Sequence, residues 1–179
     1  MNFLDSVRLL FSLYYSIIIS IHQQELQLII VEVNNSNLNI LLNLAQAYEA
    51  EFSLVTKKNP LPSGLYSLDT NCDIDHPSYL IYDKVTPIGF CIKTIVDLRH
   101  DISEFYVIPT YRRKGIAKYF ATEIFKKYTG DWQVRQIRGA DKAVSFWRAV
   151  INEFTSGHFS ESQVDDASWG TVTRQIFKS

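Results

Sequence analysis

From Glu104 to Lys118 the chain reads Glu-Phe-Tyr-Val-Ile-Pro-Thr-Tyr-Arg-Arg-Lys-Gly-Ile-Ala-Lys, and this stretch holds the residue types with the clearest chemical meaning. Arg112, Arg113, Lys114 and Lys118 gather positive charge where an alternating apolar run gives way to a helical one. The start of a helix leaves several backbone N–H groups unpaired and carries a partial positive charge, so it holds phosphates well. Gly115 lets the backbone come close to such a ligand, and Ala117 keeps bulk away from the next contact. Together with the backbone of Ile116, these residues predict a site for a phosphate-bearing cofactor. Charge alone is equally compatible with a solvated helix face, so the surrounding elements must decide.

Those elements follow a strand and helix order typical of an α/β domain. Leu26–Val33 is apolar and β-branched enough for a strand, and Asn34–Asn37 supplies turn and cap chemistry. Leu38, Leu41, Leu42, Leu44, Ala45, Ala47 and Tyr48 then recur at helical spacing up to about Phe52. Thr56–Pro77, with Pro60, Pro62 and Gly64, reads as a long loop. Strands are predicted over Tyr79–Tyr82, Ile88–Val96 and Ile102–Val107, with turns at Asp83–Pro87 and Asp97–Asp101, and Pro109 stops the ladder. Ile116, Tyr119, Phe120, Ile124 and Phe125 share one face of a helix over Gly115–Tyr128. A strand at Trp132–Ile137, a helix at Ala140–Phe154 and two short strands around the acidic turn Asp165-Asp166 complete the domain.

The composition bounds the function. With 179 residues, 46% of them apolar, one domain can bury a sizeable core without disulfides or a structural metal. Cys72 and Cys91 show no metal-ligand spacing and fit a reducing compartment, here the cytoplasm. The net charge of -1 argues against a domain devoted to nucleic acid. That total conceals a division: residues 112–148 hold ten basic residues and three acids, a local +7, while the rest, with 8 basic and 16 acidic residues, carries -8. A cationic segment on an acidic body points to an anionic ligand for that segment.

Residues 1–25 are read as an apolar extension ahead of a domain over residues 26–179. Leu9–Ile21 is too short to span a membrane and lacks a clean cleavage site, so an added amphipathic or buried helix is the expectation. A signal or anchoring segment, or a start codon set too far upstream, are the alternatives. Asp73-Ile74-Asp75-His76 has ligand-type residues but no second cluster, and no metal is expected.

Val107-x-Pro109 followed by Arg112-x-x-Gly115-x-Ala117 resembles the acyl-CoA pyrophosphate signature of GNAT-type N-acyltransferases. Ala143-x-x-Phe146-Trp147, on the helix after the Trp132–Ile137 strand, is similar to that family's second CoA-contacting segment. The resemblance covers roughly Leu26–Lys178. It implies an α+β mixed sheet, mostly antiparallel and splayed, flanked by helices. It also implies acetyl-CoA as co-substrate, its pantetheine arm bonded to the backbone near Phe105–Val107 and its pyrophosphate held on the N–H groups of Arg113–Lys118. Ala143 and Trp147 would line the cofactor. A small-molecule or protein amine would attack the thioester directly, with Glu104 as base and a strand N–H near Val107 on the carbonyl oxygen. Asp101 and Asp97 are weaker candidates for the base.

Two positions depart from the family pattern. Ala140 stands where an Asn is common, and Trp147 stands where a Tyr commonly protonates the departing thiolate. An indole N–H donates a hydrogen bond but has no usable proton to give. The alternative to an N-acetyltransferase is therefore a CoA-binding module of the same fold, without turnover. A transferase acting on aminoacyl-tRNA has only the +7 segment in its favour, and neither nucleic acid nor membrane is expected as a partner; a homodimer is left open. The acids Asp69, Asp73, Asp75, Asp165 and Asp166, in elements expected to form the acceptor pocket, favour a cationic amine.

Overall fold

The computed structural model describes residues 26–69 and 77–179. The expected N-terminal helix, Cys72 and the Asp73–His76 segment lie outside the described residues. Among the described residues seven strands form one sheet: β1 (Leu28–Glu32), β2 (Ser78–Asp83), β3 (Thr86–Val96), β4 (Arg99–Val107), β5 (Asp131–Ile137), β6 (Phe159–Asp166) and β7 (Gly170–Lys178). Their order is β1-β2-β3-β4-β5-β7-β6. Every neighbouring pair is antiparallel except β4 and β5. Among the described residues three α-helices cover the sheet: α1 (Leu38–Thr56), α2 (Ile116–Lys127) and α3 (Asp141–Phe154). Among the described residues no helix is long and apolar enough to cross a membrane.

Alternation along the strands creates two cores. Trp132, Val134, Phe177 and Ile102 point to the face covered by α2 and α3, where Ile116, Phe120, Phe125, Trp147 and Ile151 meet them. Leu80, Phe90, Ile92 and Tyr106 point the other way, against Leu41 and Ala45 of α1. The helical periodicity that predicted α2 places Ile116, Phe120, Ala121, Ile124 and Phe125 inside, and Lys126 and Lys127 end the helix where its dipole favours cations.

Several boundaries differ from the sequence expectation: α1 runs on to Thr56 rather than about Phe52, and Asp165-Asp166, expected as the turn between the last two strands, belong to β6, the turn falling after them. β4 begins at Arg99 rather than Ile102, because Asp97 and Leu98 both take positive φ (51° and 63°) and close a two-residue hairpin. Likewise the β2–β3 turn shrinks to Lys84-Val85, with Thr86 and Pro87 already in β3. Gly89 is needed where it stands, since a Cβ there would lie 2.3 Å from the Tyr106 carbonyl oxygen across the β3–β4 pair.

The parting of β4 and β5 organises the molecule. They pair in parallel only at His100 with Trp132 and Asp101 with Gln133. Beyond that rung each strand keeps its outer neighbour, β3 or β7, and the facing edges are free of each other. A β-bulge opposite Ile92-Lys93, at Ser103, bends β4 where the parting begins.

Candidate active site

The open edge of β4 determines which backbone groups line the cleft. The Ile108 N–H donates to the Ile88 carbonyl at 2.9 Å, so by antiparallel alternation the Tyr106 amide also faces β3. The amides of Phe105 and Val107 therefore face the gap. The Phe105 ring packs against Phe120, Phe146 and Trp147, with centroids 5.3, 5.9 and 5.0 Å away, and so joins β4 to both helices below the cleft.

After Val107 the chain makes one 3-10 turn, Pro109–Tyr111, and enters a loop in which Arg113 (φ 60°) and Gly115 (φ 78°) are left-handed. The first N–H of α2 to bond back is that of Tyr119, which donates to the Gly115 carbonyl at 2.9 Å. Among the described residues the amides from Arg113 to Lys118 have no backbone acceptor, and no side chain caps the helix. Glycine meets the φ of Gly115 at no cost, and a Cβ built there touches nothing within 4 Å. Open space in front of a row of unpaired amides fits a phosphate, so the residues present suit a pyrophosphate-bearing group.

The side chains of this segment are placed less uniformly than their sequence clustering implied. Ile116 is buried in the core and Ala117 packs against it, so both offer the cleft only backbone. Lys114 Nζ lies 5.0 Å from the Tyr111 ring, and Lys118 is paired with Glu153 of α3 at 2.9 Å. Arg112 turns to the other face of the sheet. Its Nε donates to the Val107 carbonyl at 2.7 Å, its guanidinium pairs with Glu51 of α1 at 2.8 Å, and it stacks over the Tyr106 ring. The Tyr106 hydroxyl also donates to Glu51, and its pKa is pushed up to about 12 by burial and by that carboxylate.

Glu104 lies on the α1 face of β4, where Tyr48 hydrogen-bonds it. Burial and the Glu104 carboxylate hold the Tyr48 phenol far above its usual range, so the phenol keeps its proton and donates a hydrogen bond to the carboxylate. Ala143 and Trp147 lie on α3, Ala143 half-buried and Trp147 only 6% exposed. The Trp147 ring contacts Phe105, Phe125 and Phe146 and walls the cleft from below. Ala140 is the N-cap of α3 and provides no side-chain cap. Among the described residues no group of three or more His, Cys, Asp or Glu is arranged to hold a metal ion. Cys91 is buried in β3, and burial pushes its thiol up, away from the reactive thiolate.

Other site residues are brought together only by the order of the strands. At the last paired rung Asp101 is 1% exposed, and Arg135 Nε of β5 donates to its carboxylate at 2.8 Å. The same guanidinium pairs with Asp166 at the end of β6, which links three strands on the α1 face. Burial raises the Asp101 carboxyl from 3.8 to about 6 against the pull of Arg135. These pairs also change the meaning of the acidic excess. Asp69 is paired with Lys58, Asp165 accepts from the Thr171 hydroxyl, and Asp166 is held by Arg135. Of these described acids, Asp69 and Asp166 are matched by cations of the protein, while Asp165 stays exposed with only a hydroxyl partner.

Solved structures of N-acetyltransferases share this architecture. An acetyltransferase of Thermus thermophilus superposes with a TM-score of 0.61 at 14% identity, over 86% of this chain and 98% of that one. The PaiA N-acetyltransferase of Thermoplasma acidophilum, solved in complex with coenzyme A, gives 0.56 at 14% identity over 85% and 100%. NAA60 of Arabidopsis thaliana, in complex with a bisubstrate analogue, gives 0.52 at 17% over 85% and 98%. No curated protein sequence matches the chain. The sequence itself matches the Acetyltransferase (GNAT) family over residues 42–149, a span from α1 through the parted strands and the signature loop to α3. The chain therefore belongs to the GNAT acetyltransferase family.

Proposed function

We propose that the protein transfers an acetyl group from acetyl-CoA to a primary amine by direct attack in a ternary complex. The observation that carries this reading is the parted β4 edge, with outward Phe105 and Val107 amides, leading straight into the unpaired amides of α2. Acetyl-CoA supplies the acyl thioester. The amides of Arg113–Lys118 hold its pyrophosphate, the Phe105–Val107 edge bonds the pantetheine arm, and Trp147 and Ala143 wall the arm from below. The Val107 N–H donates to the thioester carbonyl oxygen, where negative charge develops during attack.

The attacking amine must be neutral, so its proton has to leave before or during attack. Glu104 lies on the acceptor side of β4 and accepts that proton through a water, with Tyr48 fixing the carboxylate. Trp147 has no proton to supply to the thiolate, so water does so. The free Cys91 accords with a reducing compartment, the cytoplasm.

The test is thiol release from acetyl-CoA with a panel of primary amines, wild type beside Glu104→Gln. Wild-type turnover with a loss of about 100-fold or more in kcat for the variant is expected, with acetyl-CoA affinity unchanged. Acetyl-CoA binding without release from any amine would leave a CoA-binding module in place of an enzyme.

A further inference from the structure

On the α1 face, β5 and β7 set two arginines directly opposite each other, Arg135 and Arg174. Both belong to the face away from the α2–α3 core, because their neighbours Val134 and Phe177 point into that core. Like charges opposite one another on a sheet repel, and each needs a counter-charge. Arg135 has two, Asp101 and Asp166. Arg174 has none among the described residues; its side chain is part-exposed, and its Nε is enclosed with no hydrogen-bond partner among them. Leaving an enclosed donor on a cation unmatched is costly, so this guanidinium has capacity for an external acceptor. The flanking residues on the same face of β7 are Val172, buried, and Ile176, and Ser162 of β6 stands opposite Arg174 on its other side.

Position gives this arrangement its meaning. Arg174 is one strand spacing, about 4.8 Å, beyond β5. It therefore lies beside the mouth of the parted strands, on the face where Glu104 and Asp101 stand. Resting on the transferase reading above, we propose that Arg174 binds an anionic group on the acceptor, so that the substrate is an amine carrying a carboxylate or phosphate a few bonds away, in place of a polycation. The planar guanidinium accepts either anion in a two-pronged pair. Internal pairing of Asp101 and Asp166 with Arg135 removes the local anions that would otherwise compete for Arg174.

Matched amines separate the two anions and test the site: tyramine against tyrosine for the carboxylate, ethanolamine against O-phosphoethanolamine for the phosphate. Thiol release is measured with wild type, Arg174→Gln and Arg174→Lys. The anionic member of at least one pair should have the higher kcat/KM. Arg174→Gln should lower that value by about 10- to 100-fold, leave the neutral partner unchanged, and leave acetyl-CoA affinity unchanged. Arg174→Lys should recover part of the loss. An equal effect on both members, or on neither, overturns the proposal. If no amine releases thiol, calorimetry on the acetyl-CoA complex decides. An anionic amine bound by wild type and not by Arg174→Gln keeps the subsite while the transferase reading falls, and no such difference removes the subsite.

Discussion

The two sides of the parted strands are made of different material. On the side of α2 and α3, the proposed cofactor half is almost entirely backbone: outward amides of Phe105 and Val107, then those of Arg113–Lys118. The side chains there mostly serve packing, as with Ile116 and Trp147, or pair elsewhere, as with Arg112 and Lys118. On the α1 face, the proposed acceptor half consists of side chains from five elements: Tyr48 and Glu51 of α1, Asp101 and Glu104 of β4, Arg135 of β5, Asp166 of β6 and Arg174 of β7. A backbone site binds whatever presents phosphate to it. A side-chain site can be redrawn one residue at a time, which is how one fold takes many acceptors.

The largest effect expected from this contrast comes from filling the backbone half. Gly115→Glu sets a carboxylate and its bulk in space that is otherwise open, facing the amides that would take the pyrophosphate. Acetyl-CoA affinity should fall by more than about 100-fold, read by calorimetry. The fold should survive, because a non-glycine residue at φ 78° costs about 1–2 kcal/mol and nothing is displaced. Unchanged affinity in a folded variant would move the cofactor elsewhere.

The acceptor half should instead titrate. Burial raises the Asp101 carboxyl from 3.8 to about 6, and Arg135 only partly opposes that shift. The folded state thus binds this proton more tightly than the unfolded chain does. Asp101 favours folding below about pH 4, and that contribution is lost as pH rises through about 6. At about 1.36 kcal/mol per pKa unit the loss reaches up to about 3 kcal/mol. Asp101→Asn removes the titration, so the variant should gain stability relative to wild type between about pH 4 and pH 7. Denaturant melts at both ends of that range check it. Parallel profiles would mean that Asp101 ionises in the protein as it does in the unfolded chain.

The same contrast explains what could be read from the sequence. The cofactor half is contiguous: Val107, Pro109, Arg112, Gly115 and Ala117 mark a strand end, a turn and a helix start in one run, and each has a local physical reason. Strand and helix periodicities carried the remaining elements, with errors at element ends and turns: α1 continues to Thr56, Asp165-Asp166 lie in β6, and at Asp97-Leu98 two non-glycine residues adopt left-handed conformations. The acceptor half was opaque for a different reason. Asp101, Arg135, Asp166 and Arg174 become neighbours only through the order β4-β5-β7-β6, and no spacing in the chain reports a sheet order. Tyr48 read as one more apolar position on α1, and Arg112 read as a phosphate ligand because nothing local showed that Glu51, 61 residues away, would claim its guanidinium.

Arg112 is also a place where the two halves touch through side chains, and the smallest predicted effect tests whether that contact matters. Glu51→Gln removes the charge opposite Arg112 and weakens the acceptor of the Tyr106 hydroxyl. The paired side chains are 41% and 40% exposed, so the ion pair is screened by solvent and its loss should cost less than about 1 kcal/mol. Arg112 would still be held by the Val107 carbonyl at 2.7 Å and by the Tyr106 ring, so the loop should keep its shape. Acetyl-CoA affinity is therefore expected to change less than about threefold, an effect below about 0.7 kcal/mol. A drop of tenfold or more would show that α1 carries the pyrophosphate loop, and that the backbone half depends on the side-chain half after all.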